Sequence, residues 1–591
     1  MGTNLKKEAS ILEKRFRNFK NHETGDIRDF KELLERANQL YGDKVAYEFK
    51  KHPSDTEIIR VTFSQLQKDV TALGTKLMEL GLSEKRVALI GNNRYEWCTS
   101  YLAVTTGNMV IIPLDKALPN SEIKSLIQRS KADAVIFDGK YEEVFAELQQ
   151  ETGHQLKHYI CMDTPVHSTF ESYSSILEEG KQLVEKGDTR HKKVSIDYKQ
   201  MGIMLFTSGT TSQSKAVMLS QYNVCSNING MPHFVKMYDT DTLLSFLPLH
   251  HTFECTITFL YGNLYCGGTI AFCDGLKYIV KNLTDYQVSV FVAVPLMLEM
   301  MYKKINKTIK DTGKARIVNV MKVIANALLK LHIDVRRIFF KQILQNLGGK
   351  LRLVLYGGAP MEKSTVVGLS SFGIDMVQGY GLTETSPVIS AETDFYKRPG
   401  SAGLIFCNEE VKINEPNEQG IGEILVKGPN VMLGYYENEQ ATEEVLKNGW
   451  FYTGDLGYMD RGGYLYITGR KKDVIVLKNG KNIYPQELEF ALSKLPFVEE
   501  VFVYGKPNKN HDLTICAKIV YKDETMKELY PELKPKDYQH MMWEQVKKVN
   551  QTLSDFKHIK EITITTEPLI KTTTQKVKRA KELERTLAEV K

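Results

Sequence analysis

Short runs of apolar, often β-branched residues recur along the first 469 residues and alternate with longer amphipathic stretches. Runs that are apolar at every position suit strands buried on both faces, which occur in parallel sheets covered by helices. The pattern therefore predicts an α/β fold. The runs that we assign as strands are 87–90, 110–114, 134–137, 201–206, 217–219, 288–294 and 351–355.

The pattern changes after Gly469, where shorter apolar segments are separated by polar stretches. The segments 501–504, 514–521 and 561–565 suggest a small α+β unit of roughly 120 residues. A chain of 591 residues also exceeds what one hydrophobic core usually supports. We therefore predict two domains, 1–469 and 470–591.

The segment 303–341 is strongly basic, with eleven Lys or Arg against two Asp. Its apolar residues recur at spacings of four and three, which predicts one apolar stripe on a helix. A basic amphipathic helix can lie on an anionic bilayer. It can also be an insertion packed on its own core, which is the interpretation we favour. The stripe comprises Ile317, Met321, Ile324, Leu328, Leu331, Val335 and Ile338.

The composition is that of a soluble globular protein, with 42% hydrophobic and 25% charged residues. A net charge of +6 is small for this length and does not argue for nucleic-acid binding. The eight cysteines include no CxxC pair, which favours a reduced, cytoplasmic setting. We see no export signal at the N-terminus, and the longest apolar run, 288–298, is too short to span a membrane.

A loop rich in hydroxyl groups, TSGTTSQSK, lies between the runs 201–206 and 217–219. Small residues let backbone amides approach phosphate oxygens, the hydroxyls add donors, and Lys215 adds a charge. It is not a Walker P-loop, because Ser214 stands where that motif needs Gly. Taken alone, the segment is also compatible with a Ser/Thr-rich surface turn.

A second motif, QGYGLTETSP at 378–387, places a tyrosine between two glycines ahead of a Thr–Glu pair. The ring of Tyr380 can lie against a nucleobase, and Thr383 can donate to a phosphate. Glu384 can bind Mg²⁺ through oxygen. Tyr380 could instead be a core aromatic residue.

Three further motifs follow in the C-terminal third of the chain. In YTGDLG, Asp455 can accept from both hydroxyls of a ribose, although it could also be a turn-forming Asp. In GRKKD, Arg470 is a second ribose or phosphate donor. In PLIKTTTQKVKR, Lys576 lies among hydroxyls and cations, and from charge alone a solvated basic tail is the simpler interpretation.

With these motifs in this order, the chain resembles the acyl-adenylate-forming superfamily from about Phe30 to the C-terminus. Within it, the chain is most similar to the long-chain fatty acyl-CoA synthetases. The resemblance implies a large domain of helix-covered, mainly parallel sheets and a small mobile C-terminal domain. It also implies a reaction that uses ATP, Mg²⁺ and CoA. A fatty acid is first activated as acyl-AMP with release of pyrophosphate, and its acyl group is then transferred to the CoA thiol.

The resemblance assigns nucleotide roles to matched positions. Thr383 binds the α-phosphate, Glu384 binds Mg²⁺, and Lys576 bridges the carboxylate and the α-phosphate. Asp455 and Arg470 bind the ribose. The β- and γ-phosphates are held by Thr207, Ser208, Gly209, Thr210, Thr211 and Lys215. The adenine lies between the turn formed by Gly358, Ala359 and Pro360 and the segment Gly379, Tyr380 and Gly381.

For the acyl group and CoA, the resemblance aligns His251 with a histidine that lines the acyl-adenylate site, where we interpret it as a positioning residue. Gly357 and Gly379 would shape the acyl entrance. Lys472 matches the hinge about which the small domain swings. That rotation would bring Gly480 towards the pantetheine arm of CoA.

The sequence departs from the usual adenylating pattern in the phosphate loop. Ser212, Ser214 and Ala216 replace the usual Gly, Pro and Gly. Gln575 also replaces the Gly that commonly precedes the C-terminal lysine. Losing Gly and Pro alters the stiffness of the loop.

Three classes of function remain open at this stage. The chain could be a fatty acid–CoA ligase, a ligase that loads an acyl carrier protein, or a non-catalytic acyl-binding protein. An aryl or short-chain acid is an alternative substrate for the first. The partners that we expect are fatty acid, ATP and CoA, without nucleic acid, and segment 303–341 offers contact with the inner face of a membrane.

Overall fold

The computed structural model describes residues 26–207, 214–331, 333–359, 361–394, 397–478, 481–508, 513–571 and 577–589. Two large mixed sheets with parallel centres dominate the part before Glu410. The phosphate-loop positions 208–213, Pro360, Gly480, Gln575 and Lys576 lie outside the described residues.

The first sheet has nine strands, and its six central strands run parallel. Antiparallel strands complete both edges. In spatial order the strands are Leu404–Ile405, Val388–Ala391, Asp375–Gly381, Leu353–Tyr356, Val290–Ala293, Thr242–Ser245, Thr269–Phe272, Val45–Phe49 and Ile59–Thr62.

The second sheet has eight strands, of which six are parallel and two form an antiparallel edge. The strands that flank the hydroxyl-rich loop meet here: Met201–Thr207 is the last of the parallel strands, and Lys215–Ser220 is the first strand of the antiparallel edge. In spatial order the strands are Gly434–Tyr435, Lys215–Ser220, Met201–Thr207, Val110–Pro113, Arg86–Ile90, Ala134–Phe137, His158–Cys161 and Glu171–Ser172.

Strands in both sheets bury side chains on both faces, as the continuous apolar runs predict. Val87 and Leu89 belong to a core that also contains Leu353 of the first sheet. The alternate residues, Ala88 and Ile90, belong to a separate core on the other face. The prediction of parallel strands covered on both sides is therefore confirmed.

An antiparallel five-stranded sheet follows, formed by Glu410–Asn414, Gly422–Lys427, Trp450–Met459, Leu446–Lys447 and Leu465–Arg470. Beyond it, the chain forms a two-stranded ribbon, Ile475–Val476 with Asn482–Ile483, and a three-stranded sheet. The three strands, Glu500–Pro507, Leu513–Val520 and Glu561–Thr565, match the three predicted segments, except that the second strand ends one residue before the predicted end. Residues between Ile475 and Ile562 form a core of their own, as expected of a small α+β unit.

Helices cover the sheets. The helices of seven or more residues are Phe30–Tyr41, Phe63–Glu79, Tyr95–Thr106, Asn120–Ser130, Glu142–Gln149, Tyr173–Glu185, Gln221–Gly230, the π-helix Cys255–Tyr265, Ile279–Asp285, Pro295–Asp311, Ala315–Lys330, Lys363–Ser370, Glu439–Val445, Pro485–Leu492, Asp523–Leu529, Tyr538–Asn550 and Arg579–Glu589. Shorter turns are Arg190–Lys193, Thr252–Glu254, Arg336–Phe339 and Lys341–Gln345. Within the described ranges, none of the helices combines the length and apolar character needed to cross a bilayer.

The prediction of one continuous stripe over 303–341 is wrong in part. The segment forms two long helices, Pro295–Asp311 and Ala315–Lys330, and then two short ones. Met321 packs partly buried against a small core that includes Ala325, but Ile317 and Ile324 are exposed. The interpretation favoured from the sequence is a packed insertion. It therefore accounts for only one face of the helix Ala315–Lys330.

Candidate active site

A carboxylate, a phenol and a guanidinium meet at the predicted ribose site. The Tyr380 hydroxyl donates to Asp455 Oδ2 over 2.8 Å. Arg470 Nε lies 2.7 Å from the other oxygen, Asp455 Oδ1. Burial and the negative charge of Asp455 raise the pKa of Tyr380 well above its usual range, so the phenol stays protonated and donates.

The backbone explains why this aspartate points into the site. Asp455 and Arg470 are paired across the antiparallel strands Trp450–Met459 and Leu465–Arg470, so their side chains share one face. Gly454 has a φ of +69°, and the Asp455 amide donates to Thr453 Oγ1 over 3.0 Å. Asp455 therefore lies within a strand and not in the turn expected from the sequence, and strand pairing fixes the position of its carboxylate.

A second group joins Glu384, Tyr435 and Lys215. The Tyr435 hydroxyl donates to Glu384 Oε1 over 3.0 Å, and Lys215 Nζ lies 4.6 Å from the centre of the tyrosine ring. Tyr435 reaches this place because Gly434–Tyr435 pairs with the strand that Lys215 begins. Burial and the charge of Glu384 raise the pKa of Tyr435. Sequence reasoning missed Tyr435, which belongs to none of the motifs.

The arrangement fits a magnesium ion held largely by its substrate. In the ranges that the structure describes, no three His, Cys, Asp or Glu side chains gather into a metal-binding group. Mg²⁺ in nucleotide enzymes is commonly bound by one or two carboxylates together with substrate phosphates. Thr383 begins the short helix Thr383–Thr385 and Glu384 follows it, which puts the hydroxyl and the carboxylate together at one turn.

The ends of the phosphate loop are paired as adjacent strand residues. Thr207 lies opposite Lys215 in the antiparallel pair, and its hydroxyl donates to the Lys215 carbonyl over 3.4 Å. Arg129 donates to the Ser214 carbonyl over 2.6 Å and to Ser214 Oγ over 3.1 Å. Ser214 replaces the usual proline, and Arg129, which sequence reasoning also missed, supplies an anchor for the loop at this position.

We expect Arg129→Gln to raise the KM for ATP about tenfold, with a smaller effect on kcat. The variant loses charge-assisted hydrogen bonds to Ser214 worth about 1.5 kcal/mol, so Ser214 is held less firmly before ATP binds. Initial rates of pyrophosphate release at varied ATP would measure this. Arg190→Gln is the matched control, because Arg190 pairs with the nearby Asp188 on the surface. An unchanged KM would show that Arg129 does not position the loop.

The predicted adenine turn and its neighbour meet at the carboxyl ends of two parallel strands. Tyr356 pairs with Gln378, so Gly357 and Gly379 follow at the same level of the sheet. A Cβ on Gly357 would lie 2.8 Å from the Gly379 carbonyl oxygen, so the two backbones are in close approach. Gly358 has a φ of +86° and, like Ala359, is exposed, whereas a Cβ on Gly381 would clash with the Pro387 carbonyl.

The paired histidines lie before the short helix Thr252–Glu254, with their ring centres 5.4 Å apart. Burial and the adjacent His251 lower the pKa of His250 to about 3, and its Nε2 lies 3.6 Å from Asp115 Oδ1. The Asn93 amide holds the preceding turn by donating to the Leu247 carbonyl over 2.7 Å. A neutral His250 and a fixed preceding turn are compatible with the positioning role predicted for His251.

Glu254, three residues after His251, is fully buried, and burial raises its pKa to about 8. The folded protein keeps this proton up to about pH 8, whereas an unfolded glutamate releases it near 4.5. Stability is therefore lost as pH rises through that window. We expect Glu254→Gln to raise Tm relative to the parent by an amount that is negligible below pH 4.5 and largest near pH 8. Thermal denaturation across this range tests it, and a difference independent of pH would contradict it.

The predicted hinge lies in one helical turn, Lys471–Asp473. Lys471 Nζ is 2.8 Å from Glu423 of the five-stranded sheet, whereas Asp473 accepts from Gln486 of the small unit over 3.0 Å. Burial and the nearby Arg470 lower the pKa of Lys472. Lys472 therefore lies between a residue that contacts the five-stranded sheet and a residue that contacts the small unit.

The predicted catalytic lysine, Lys576, lies outside the described residues, but its flanks are held to the small unit. Lys571 and Val577 form an antiparallel bridge. Arg579 pairs with Glu489 over 2.8 Å and donates to the Val503 carbonyl over 2.7 Å. Residues on both sides of this position are thus held in place within the small unit.

Comparison with known proteins agrees with the family resemblance inferred from the sequence motifs, over most of the chain. The sequence model described as AMP-binding enzyme matches residues 34–436, and that of the AMP-binding enzyme C-terminal domain matches residues 472–591. A long-chain-fatty-acid–[acyl-carrier-protein] ligase, AEE15 of Arabidopsis thaliana, is 25% identical over 88% of this chain and 79% of its own length. Long-chain-fatty-acid–CoA ligase 5 of Mus musculus is 30% identical over 76% and 69%.

A solved structure, the anthranilate CoA ligase AuaEII in complex with anthranoyl-AMP, matches with a TM-score of 0.74. It is 19% identical and covers 95% of this chain and 98% of its own, which shows the shared fold. Together with the match over residues 34–436, these similarities establish that the chain belongs to the AMP-binding enzyme family.

Proposed function

We propose that this protein is an ATP-dependent long-chain fatty acid–CoA ligase. The observation that carries the proposal is the contact of Asp455 with both Tyr380 and Arg470, beside the group formed by Glu384, Tyr435 and Lys215. Such an arrangement can hold the ribose of a nucleotide at one end and its phosphates at the other. Arg470 also contributes to the electrostatic environment of Tyr435, which supports the proximity of the two groups.

In the proposed first step, a carboxylate oxygen of the acid attacks the α-phosphorus of ATP, and the bond to pyrophosphate breaks. The barrier is largely electrostatic, because one anion approaches another. Thr383, Lys215 and Lys576 would supply donors and positive charge, and Glu384 would hold Mg²⁺, which neutralises phosphate charge when bound. No protein nucleophile is required.

In the proposed second step, the CoA thiol loses its proton and attacks the acyl carbonyl, and the bond to AMP breaks. The small unit would turn about Lys472, withdraw Lys576 and bring Gly480 to the pantetheine arm. We keep the division into 1–469 and 470–591 as part of this proposal. The individual contacts of Lys471 and Asp473 with opposite sides support a pivot between them.

We propose a long-chain acid as the substrate because the relatives carry that name. We also propose that the reaction takes place in the cytoplasm, at the inner face of a membrane. A second candidate, the loading of an acyl carrier protein, is favoured by the similarity to the Arabidopsis ligase. A non-catalytic acyl-binding protein is the weakest candidate, because the proposed nucleotide-binding side chains are present and hold one another in position. Tyr435 donates to Glu384, and Asp455 contacts both Tyr380 and Arg470.

A pyrophosphate-release screen with ATP, Mg²⁺ and saturated acids of graded length tests the proposal. We expect turnover to rise with chain length and to yield a thioester with free CoA. A thioester formed with an acyl carrier protein but not with CoA would select the second candidate. Lys576→Ala should abolish pyrophosphate release, and full activity in that variant would overturn its assignment. Lys578→Ala is the matched control.

A further inference from the structure

The helix Ala315–Lys330 and the residues that follow it, as far as the short helix Arg336–Phe339, expose an unusual number of large apolar side chains. Each of them is at least 45% exposed, and the highest values are 73%, 70% and 69%. Scattered exposed apolar residues are normal, but a contiguous set marks a binding surface. We call this set the apolar helix surface: Ile317, Val320, Val323, Ile324, Leu331, Ile333 and Ile338.

The helix already has a packed side, so the exposed set is a second apolar face. Val318, Met321 and Ala325 pack with Phe340 and Phe372 in a small core. Because residues three and four apart share a face, Ile317, Val320 and Ile324 lie together on another side. Folding of the chain does not require these side chains to be apolar.

Positive charge is abundant on this helix and on the long helix before it. The two long helices and the turn between them expose Lys303, Lys304, Lys307, Lys310, Lys314, Arg316 and Lys330. In the same stretch the acidic side chains are Glu299, which is partly buried, and Asp311. An apolar face flanked by lysines has the chemistry of a helix that lies in the interface of an anionic bilayer.

A basic cavity adjoins the far end of the surface. It has a volume of about 300 Å³ and is lined by Arg337, Lys341 and Lys350 together with glycine and glutamine residues. Arg337 and Lys341 lie on either side of the exposed Ile338 in the chain. Arg337 is fixed by donating to the carbonyls of Leu351, Gly373 and Gly349 over 2.7, 3.0 and 3.1 Å, so Lys341 and Lys350 are the groups that would bind an anion. A cavity of this charge beside an apolar side chain suits a lipid phosphate whose acyl chains lie in the bilayer.

We propose that the apolar helix surface docks on an anionic phospholipid bilayer, with a headgroup phosphate in the cavity lined by Arg337, Lys341 and Lys350. A second copy of this chain is a poorer occupant, because a two-fold contact would bring the two lysine-rich surfaces together. The benefit of docking rests on the proposed function. Long-chain acids partition into bilayers, and the helix Pro295–Asp311, roughly 25 Å long, connects this surface to the carboxyl edge of the sheet that carries Gly357.

Vesicle flotation of the full chain tests the proposal, with phosphatidylcholine vesicles and with vesicles that also contain phosphatidylglycerol. We expect binding to the anionic vesicles alone, weakened by salt. Ile317→Ser/Val320→Ser/Ile324→Ser should weaken partitioning at least roughly tenfold. Lys310→Gln/Arg316→Gln/Lys330→Gln should weaken it about fivefold for each cation removed. Lys341→Gln/Lys350→Gln should reduce the preference for phosphatidylglycerol.

Matched controls are Val166→Ser, which changes an apolar side chain that is 89% exposed elsewhere, and Lys192→Gln/Lys193→Gln. Circular dichroism checks that every variant is folded. The proposal is overturned if the wild type binds no vesicle, if the surface variants bind like the controls, or if sedimentation shows a dimer that the Ile317 triple variant dissociates.

Pyrophosphate release separates this inference from the proposed function. With acid delivered on albumin, the surface variants should match the wild type, whereas with acid supplied in anionic vesicles they should be slower. Vesicle binding without pyrophosphate release from any acid would support the surface and overturn the ligase. Pyrophosphate release without vesicle binding would support the ligase and overturn the proposed surface.

Discussion

Asp455→Asn should reduce acyl-adenylate formation by roughly 10²- to 10³-fold. The carboxylate accepts from Tyr380 and pairs with Arg470, and in the proposed complex it also accepts from the ribose. An amide of the same shape has one acceptor and no charge, so about 3–4 kcal/mol of charge-assisted hydrogen bonding is lost. Pyrophosphate release at saturating acid and varied ATP measures the effect.

A graded pair of variants separates the carboxylate from its neighbours. Tyr380→Phe removes one donor and keeps the ring, so we expect a loss of only several-fold. Asp188→Asn, which removes a partly buried carboxylate paired with Arg190, should leave the rate unchanged. If Asp455→Asn were as active as Asp188→Asn while remaining folded, Asp455 would not bind the nucleotide.

Glu384→Gln should lower adenylate formation by about 10²-fold or more and raise the Mg²⁺ concentration needed for half-maximal rate. A neutral amide oxygen is a much poorer ligand for a hard cation than a carboxylate. The Tyr435 hydroxyl donates to this side chain, so the shape of the site should survive the substitution. Rates measured across a Mg²⁺ titration at fixed ATP report both effects.

Tyr435→Phe is the companion variant, because it changes the orientation of Glu384 without changing its charge. We expect a loss of roughly tenfold, in the range found when a group that orients a metal ligand is removed. The apparent Mg²⁺ requirement should rise in Glu384→Gln more than in Tyr435→Phe. Equal and unchanged Mg²⁺ requirements in both variants would place the metal elsewhere.

The fold and the meeting of the motif residues could be predicted because each motif and each strand is recognisable from a local pattern. Apolar runs such as 134–137 coincide with buried strands, and the motif residues Tyr380 and Asp455 meet although they lie 75 positions apart. The supporting residues could not be found in the same way. Tyr435 and Arg129 act on Glu384 and Ser214 across 51 and 85 positions, through strand pairing and packing that no local motif encodes.

The helical segment shows a different limit of sequence patterns. The spacing of four and three residues correctly predicts a helix with apolar positions at Ala315–Lys330, although not one continuous stripe beyond it. Periodicity does not tell which side chains face the protein, because a helix with two adjacent apolar faces gives nearly the same pattern as one with a single broad face. Met321 and Ile324 belong to the same predicted stripe but differ in burial.

The contacts on either side of Lys472 bear on the proposed rotation of the small unit. Lys471 is paired with Glu423 and Asp473 accepts from Gln486, so neighbouring residues are bonded to opposite sides. If both contacts persist during the proposed rotation, the dihedral angles of Lys472 would take up most of the change. Inserting a single residue beside Lys472 should then impair thioester formation more than adenylate formation.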